Sequence, residues 1–130
     1  MIKISIVGLG FMGQNHLRVL SEIKNVKIDY IFDKNKNKAK QLSKLYNVKC
    51  CENIKQIPPS SDAVIISTPT NNHFNYLKFF AKTKLKIFVE KPIVSNFNQL
   101  LKIKKILQNK ILQCGFIERY NSVTPVLKKF

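Results

Sequence analysis

Short continuous apolar runs alternate along this chain with segments whose apolar residues recur at helical spacing. The runs predict six strands, at about residues 3–7, a second ending near Asp33, 48–51, 63–66, 87–89 and 111–117. Unbroken apolar strands separated by helices are typical of a parallel sheet covered on both faces. The pattern therefore predicts an α/β fold with a doubly wound parallel sheet, whose ligand crevice lies at the carboxyl ends of the strands.

The segments between the runs predict four amphipathic helices. Each is expected to turn its apolar residues toward the sheet. These residues are, helix by helix, Leu17, Leu20 and Ile23; Ala39, Leu42, Leu45 and Tyr46; Phe74, Leu77, Phe80 and Ala81; and Phe97, Leu100, Leu101 and Leu107.

A glycine fingerprint directly follows the first predicted strand, with Gly8, Gly10 and Gly13 spaced as in dinucleotide-binding proteins. Gly8 allows a tight turn, Gly10 lets the backbone approach a pyrophosphate, and Gly13 lets the next helix lie close to the sheet. The N-terminus of that helix offers free N–H groups and a partial positive charge to the anion. This loop, with Phe11 and Met12 between its glycines, is predicted to bind the cofactor.

Asp33 follows Gly13 by twenty positions, at the end of the second apolar run. A carboxylate at that place accepts hydrogen bonds from the adenosine ribose and repels a 2′-phosphate. An isolated aspartate after a strand is more often a turn residue, but here strand, glycines, helix, strand and acid occur in order. We therefore expect NAD as cofactor, and NADP stays possible because Lys34, Lys36 and Lys38 can soften the repulsion.

Length and composition indicate one soluble globular domain. The 130 residues suffice for one core, and no apolar run approaches the 18 or more residues of a membrane span. No secretory signal is recognisable at the N-terminus. Cys50, Cys51 and Cys114 have neither metal-ligand nor redox-pair spacing, so they are expected to be reduced thiols in a cytoplasmic protein, and no metal site is predicted.

The net charge of +16 raises the question of nucleic-acid binding. Only Arg18 and Arg119 are arginines, and the lysines are scattered over every predicted helix and loop. Nucleic-acid surfaces concentrate their cations in one stripe or groove, often with aromatic residues. We therefore expect no specific nucleic-acid partner and no membrane partner.

Three later segments fall at strand ends facing the expected crevice. They are the Ser-Thr-Pro-Thr-Asn-Asn-His run at 67–73, the Glu-Lys-Pro run at 90–92, and the Gly-Phe-Ile-Glu-Arg-Tyr-Asn run at 115–121. With the glycine loop, this set resembles the cofactor-binding half of the glucose-fructose oxidoreductase, inositol dehydrogenase and rhizopine-catabolism (Gfo/Idh/MocA) family, over the whole chain. The last run looks most like members that oxidise the 3-hydroxyl of UDP-N-acetylglucosamine.

The resemblance implies a hydride-transferring oxidoreductase that acts on a sugar or sugar-nucleotide hydroxyl. It places Lys91 beside the nicotinamide ribose and the reacting hydroxyl, as the catalytic lysine and a cofactor contact. The Lys91-Pro92 bond is commonly cis in the family. The other cofactor-binding residues carried over from the family are Thr68, Pro69, Thr70, His73, Glu90 and Arg119.

The resemblance also implies a division of the chain. Residues 1–120 form the dinucleotide-binding Rossmann domain, and residues 121–130 begin a connection to a C-terminal α+β substrate domain that the sequence does not contain. In the family that domain also assembles oligomers, so a homo-oligomer is expected only of a full-length form, and this chain is expected to be inactive alone. The alternative is a non-catalytic dinucleotide-binding module, or a truncated or decayed gene product.

Overall fold

The computed structural model describes residues 1–122 and 124–127. Its strands are β1 Ile2–Val7, β2 Val26–Phe32, β3 Lys49–Cys50, β4 Ala63–Ile66, β5 Lys86–Glu90 and β6 Leu112–Gly115. Its α-helices are α1 Phe11–Ser21, α2 Lys36–Tyr46, α3 Thr70–Phe80, α4 Phe97–Ile106 and α5 Thr124–Leu127. Two short 3₁₀ helices cover Ile54–Gln56 and Ile117–Tyr120.

The six strands form one parallel sheet in the order β3-β2-β1-β4-β5-β6. The winding reverses between β1 and β4, where Ile4 pairs with Ala63 and Val7 with Ile66. This arrangement confirms the predicted doubly wound sheet. The reversal leaves a crevice between the carboxyl ends of β1 and β4, which is where such sheets bind ligands.

Apolar side chains fill both faces of the sheet. Consecutive residues of β1 point to opposite sides, so Ile6 enters one buried cluster and Val7 the other, both without exposed surface. In β4, Ile65 and Ile66 divide in the same way. This two-sided burial is the reason the strands appear in the sequence as continuous apolar runs.

The sixth strand is shorter than predicted, because it begins at Leu112 and ends at Gly115. Its partner β5 pairs from Ile87 with Leu112 through to Glu90 with Gly115 and then ends. Residues beyond Gly115 have no neighbouring strand, and Ile117–Tyr120 form a 3₁₀ helix instead. The expected strand over 111–117 was therefore wrong at both ends.

The burial predicted for the apolar residues of the helices is correct for some residues and wrong for others. Leu17, Ala39, Leu77 and Phe80 are buried as expected. Five other predicted core residues are exposed: Ile23, Leu45, Phe97, Leu100 and Leu101. Within helix α4 only Ile103 is buried in the core, and Leu107, directly after the helix, is buried beside it, whereas Phe97, Leu100, Leu101 and Ile106 are exposed.

The segment predicted to connect two domains, residues 121–130, contains the short helix α5. Its residues 123 and 128–130 lie outside the described residues. Among the helices that the structure describes, none is long and apolar enough to cross a membrane.

Candidate functional site

A crevice of about 290 Å³ lies at the point where the sheet reverses, and we call it the β1–β4 crevice. The glycine loop forms one wall, the end of β2 a second, and the start of α3 a third. Its lining residues are Gly8, Gly10, Phe32, Asp33, Lys34, Lys38, Ser67, Thr68, Pro69, Asn72 and Tyr76. The structure thus brings five predicted residues together in one crevice, namely Gly8, Gly10, Asp33, Thr68 and Pro69, while Phe11, Met12, Gly13 and Thr70 lie in the helices that frame it.

The three glycines of the loop have different surroundings. Gly8 has a φ of +93°, and a Cβ there would lie 2.7 Å from the backbone of Ser67 and Thr68. A Cβ on Gly13 would lie 1.9 Å from the carbonyl oxygen of Gly8. A Cβ on Gly10, in contrast, would have no neighbour within 4 Å among the described residues, apart from the adjoining backbone. Gly8 and Gly13 therefore allow close packing, whereas Gly10 leaves open space at the N-terminus of α1.

Asp33 accepts a hydrogen bond from the backbone of the glycine loop. The Leu9 N–H donates to its Oδ2 over 2.6 Å, and the Asn35 N–H donates to its Oδ1 over 2.8 Å. Because a carboxylate has about four acceptor positions, each oxygen can accept a further bond from a ligand. Burial and the Asp33 charge both raise the pKa of nearby Tyr76, so its hydroxyl stays protonated in the crevice wall.

Thr68 places a hydroxyl in the crevice wall without a partner. Its Oγ1 is buried and has no hydrogen-bond partner in the part of the chain that the structure describes. A buried hydroxyl without a hydrogen-bond partner destabilises the fold unless a ligand or water forms a hydrogen bond with it. Together with the open space at Gly10, this atom makes the crevice fit a polar phosphate- and ribose-containing ligand.

His73 lies behind the crevice wall, with 1% of its surface exposed. Its Nε2 lies 2.7 Å from the Thr68 carbonyl oxygen, and its Nδ1 lies 2.9 Å from the Pro92 carbonyl oxygen. The ring thus connects the segments that follow β4 and β5. The ring is therefore placed to hold the Thr68 backbone, and the cofactor-binding role predicted for His73 stays a prediction.

Glu90 and His16 form a contact that the sequence analysis did not predict. The Nε2 atom of His16, on α1, lies 2.7 Å from Oε1 of Glu90, at the end of β5. The His16 ring also contacts Phe88 edge-on, with centroids 5.3 Å apart. A Cβ on Gly115 would lie 2.9 Å from Oε2 of Glu90. The carboxylate therefore joins α1, β5 and β6 below the crevice.

We expect His16→Ala to destabilise the fold by about 2 kcal/mol, since it leaves the Glu90 carboxylate, whose side chain is 10% exposed, without this partner. Urea unfolding measures the change. The matched control is Arg18→Ala, which removes an exposed ion pair with Glu22 on the same helix and should cost less than about 0.5 kcal/mol. Equal losses for the two variants would contradict the structural role of His16.

Lys91 follows Glu90 at the end of β5, and its bond to Pro92 is cis. Its side chain lines a second hollow of about 410 Å³, which we call the Lys91 hollow, together with Phe116, Ile117, Glu118 and Arg119. The Arg119 guanidinium lies 5.0 Å from the centre of the Phe116 ring. The hollow thus combines two cations and one carboxylate with an apolar surface, next to the carboxyl end of β5.

The three cysteines are free thiols. Burial raises the pKa of Cys50 and Cys114, and it raises that of Cys51 to about 11. A neighbouring negative charge, Glu90, also raises the pKa of Cys114. Within the described ranges, no group of three His, Cys, Asp or Glu residues is placed to hold a metal ion.

The parallel sheet, the glycine loop at the reversal point and Asp33 at the end of β2 define a dinucleotide-binding Rossmann domain. The chain belongs to the Gfo/Idh/MocA oxidoreductase family, whose NAD-binding Rossmann fold matches residues 2–116. The expected family and the expected NAD cofactor are thereby confirmed.

Several characterised proteins resemble this chain. Glucose-6-phosphate 3-dehydrogenase of Bacillus subtilis is 28% identical over 131 residues, which cover 98% of this chain and 37% of the relative. The crystal structure of myo-inositol 2-dehydrogenase from Lactobacillus plantarum is 28% identical with a TM-score of 0.88, over 98% of this chain and 40% of that one. UDP-N-acetylglucosamine 3-dehydrogenase from Acidithiobacillus ferrooxidans is 21% identical with a TM-score of 0.90, over 98% and 42%, and shows the shared fold alone.

Coverage of these relatives is partial. The chain spans 37% of the length of the glucose-6-phosphate 3-dehydrogenase and 40% of that of the myo-inositol 2-dehydrogenase. The matched part of each is the part that carries the nucleotide-binding fold.

Proposed function

We propose that this chain is the cofactor-binding part of an NAD-dependent oxidoreductase that transfers a hydride between the cofactor and a hydroxyl group of a sugar or sugar derivative. The observation that carries the proposal is the β1–β4 crevice, which is lined by Gly10, where a side chain would meet open space, and by Thr68, whose buried hydroxyl has no hydrogen-bond partner among the described residues. Family membership supports the cofactor, since the family fold is NAD-binding.

Each wall of the crevice has a distinct part in binding. The remaining acceptor positions of Asp33 would take the adenosine ribose hydroxyls, because its N–H partners leave lone pairs free. The backbone at Gly10 and the N-terminus of α1 would receive the pyrophosphate, where N–H groups and the helix dipole favour an anion. Thr68 would donate or accept one further hydrogen bond.

Oxidation of a hydroxyl needs a group that handles its proton, and we look for that group in the Lys91 hollow. NAD, when bound, accepts or supplies the hydride. The hydroxyl that is oxidised must also lose a proton, so a group within hydrogen-bond reach has to take it or stabilise the developing negative charge. Lys91 stands at the end of β5 with its side chain in a hollow large enough for a small ligand, and we assign it this role.

The proposed substrate class is supported by the relatives and by the residues of the hollow. Two relatives act, by their names, on glucose 6-phosphate and on inositol, both polyhydroxylated rings. Arg119 and Glu118 offer charged groups that can bond hydroxyls, beside the apolar surface of Phe116. These observations support a sugar or sugar derivative.

The proposal is tested by calorimetric titration of the purified chain with NADH, for which we expect saturable binding in the micromolar range. Gly10→Ala should weaken binding at least about tenfold, since its Cβ enters the space assigned to the pyrophosphate. The unfolding free energy of this variant should stay within about 0.5 kcal/mol of the wild-type value. A wild-type chain that shows no saturable binding would refute the cofactor assignment.

A further inference from the structure

His16, on α1, contacts the opposite half of the sheet. A doubly wound sheet has two halves that each bind one nucleotide of a dinucleotide, here β1–β3 and β4–β6. Helix α1 belongs to the first half, and in the proposed function its N-terminus receives the pyrophosphate. The Nε2 atom of His16 lies 2.7 Å from Oε1 of Glu90, the last residue of β5 in the second half. The contact therefore connects the proposed pyrophosphate site with the strand that leads to Lys91.

The Glu90 side chain is held on the α1 side of the sheet. Phe88 and Glu90 are two positions apart in β5, so their side chains point to the same face, and the His16 ring packs edge-on against Phe88. A carboxylate only accepts hydrogen bonds, so the His16 Nε2 donates this one. Among the described residues, no other group donates a hydrogen bond to the Glu90 carboxylate. Without His16 the Glu90 side chain, which is 10% exposed, would therefore lose the contact that orients it.

The Lys91 backbone lies between two residues that are each held by a histidine. On one side Glu90 contacts His16, and on the other the Pro92 carbonyl oxygen lies 2.9 Å from Nδ1 of His73. A reactive side chain keeps its geometry when neighbouring residues fix the backbone that carries it. His16 itself lines neither the β1–β4 crevice nor the Lys91 hollow, as the described residues form them. It would therefore act on a ligand through Glu90 and the segment that follows.

We propose that His16 is a positioning residue for the nicotinamide half of the cofactor: by holding Glu90, it fixes Lys91 relative to the pyrophosphate at the start of α1. The inference rests on the proposed function, because it needs a dinucleotide that spans both halves of the sheet. Loss of the contact should weaken binding of the nicotinamide nucleoside. The adenosine and pyrophosphate should stay bound, because Gly10 and Asp33 lie in the first half of the sheet and keep their own contacts.

The experiment compares NADH with ADP, which lacks the nicotinamide nucleoside, by calorimetry at a fixed moderate ionic strength that screens generic attraction. The wild-type chain should bind NADH at least about tenfold more tightly than ADP. His16→Leu should weaken NADH binding about five- to tenfold and ADP binding less than about twofold. His16→Gln, whose amide Nε2 can still donate to Glu90, should keep the NADH affinity within about twofold of the wild-type value.

Arg18→Leu is the matched control, since it removes an exposed ion pair with Glu22 from the same helix and should leave both affinities unchanged. Equal or absent losses of NADH and ADP affinity in His16→Leu would overturn the inference, because His16 would then serve only the fold. Equal NADH losses in His16→Leu and His16→Gln would overturn it too, since the hydrogen bond would not be the cause. A wild-type chain that binds NADH no more tightly than ADP overturns the inference and leaves the cofactor assignment standing. If the wild type binds neither ligand, both are overturned.

Discussion

Replacing Gly13 with alanine is expected to destabilise the fold by more than about 3 kcal/mol. The added Cβ would lie 1.9 Å from the carbonyl oxygen of Gly8 and 2.9 Å from Oγ of Ser67. The nearest obstacle is backbone, so α1 must move away from the sheet, and the core contact of Leu17 is lost with it. Urea unfolding followed by circular dichroism measures the loss.

Gly10→Ala provides the control for this prediction, since it makes the same chemical change three residues earlier, where a Cβ meets no described residue within 4 Å apart from the adjoining backbone. Within a helix, alanine is intrinsically favoured over glycine by up to about 1 kcal/mol. Any destabilisation by Gly13→Ala therefore arises despite that gain. A Gly13→Ala protein as stable as the Gly10→Ala protein would show that α1 does not need this close approach.

Lys91→Ala is expected to lower turnover about 10²- to 10⁴-fold, the range attributed to a lost general acid or base. The measurement requires an active family dehydrogenase with a lysine at the equivalent position. Affinity for NADH should change only a few-fold, because the side chain lines the Lys91 hollow rather than the β1–β4 crevice. Steady-state kinetics and calorimetry on the same variant separate the two effects.

Lys86 offers a control on the same strand, because it is an exposed lysine at the opposite, amino end of β5. Substituting alanine at the equivalent of Lys86 should leave turnover and NADH affinity unchanged. If Lys91→Ala instead weakened NADH binding tenfold or more, about 1.4 kcal/mol, while turnover persisted, Lys91 would be a cofactor ligand and not a catalytic residue.

The fold was predictable because its strands are buried on both faces. Residues 63–66 form β4 as predicted, since a short uninterrupted apolar run is typical of a strand buried on both faces of a parallel sheet. The end of β6 was not predictable, because Phe116 and Ile117 continue the apolar run while the strand lacks a partner beyond Gly115. Pairing between distant segments, which local composition does not report, decides where the strand stops.

The residues that line the β1–β4 crevice were predictable where they adjoin strand ends. Asp33 and Thr68 lie in the crevice wall, as the position of their strands requires. The sequence analysis did not predict that Asn72 and Tyr76 line the crevice. Their spacing of three and seven residues from Pro69, which precedes α3, places them on the same side of the helix and could have indicated it. The contact between His16 and Glu90 was also missed, because 74 residues separate them and no local pattern links them.

The position of β1 in the sheet has a consequence for biosynthesis. β1 is synthesised before both strands that pair with it. It pairs on one side with β2 and on the other with β4, which ends at Ile66. While Ile66 is still inside the ribosome, β4 cannot pair with β1. The nascent chain therefore exposes one unpaired edge of the apolar strand β1. Such edges recruit strands from other molecules. Premature termination between β2 and β4 should consequently yield aggregating fragments, whereas release of β4 closes the centre of the sheet.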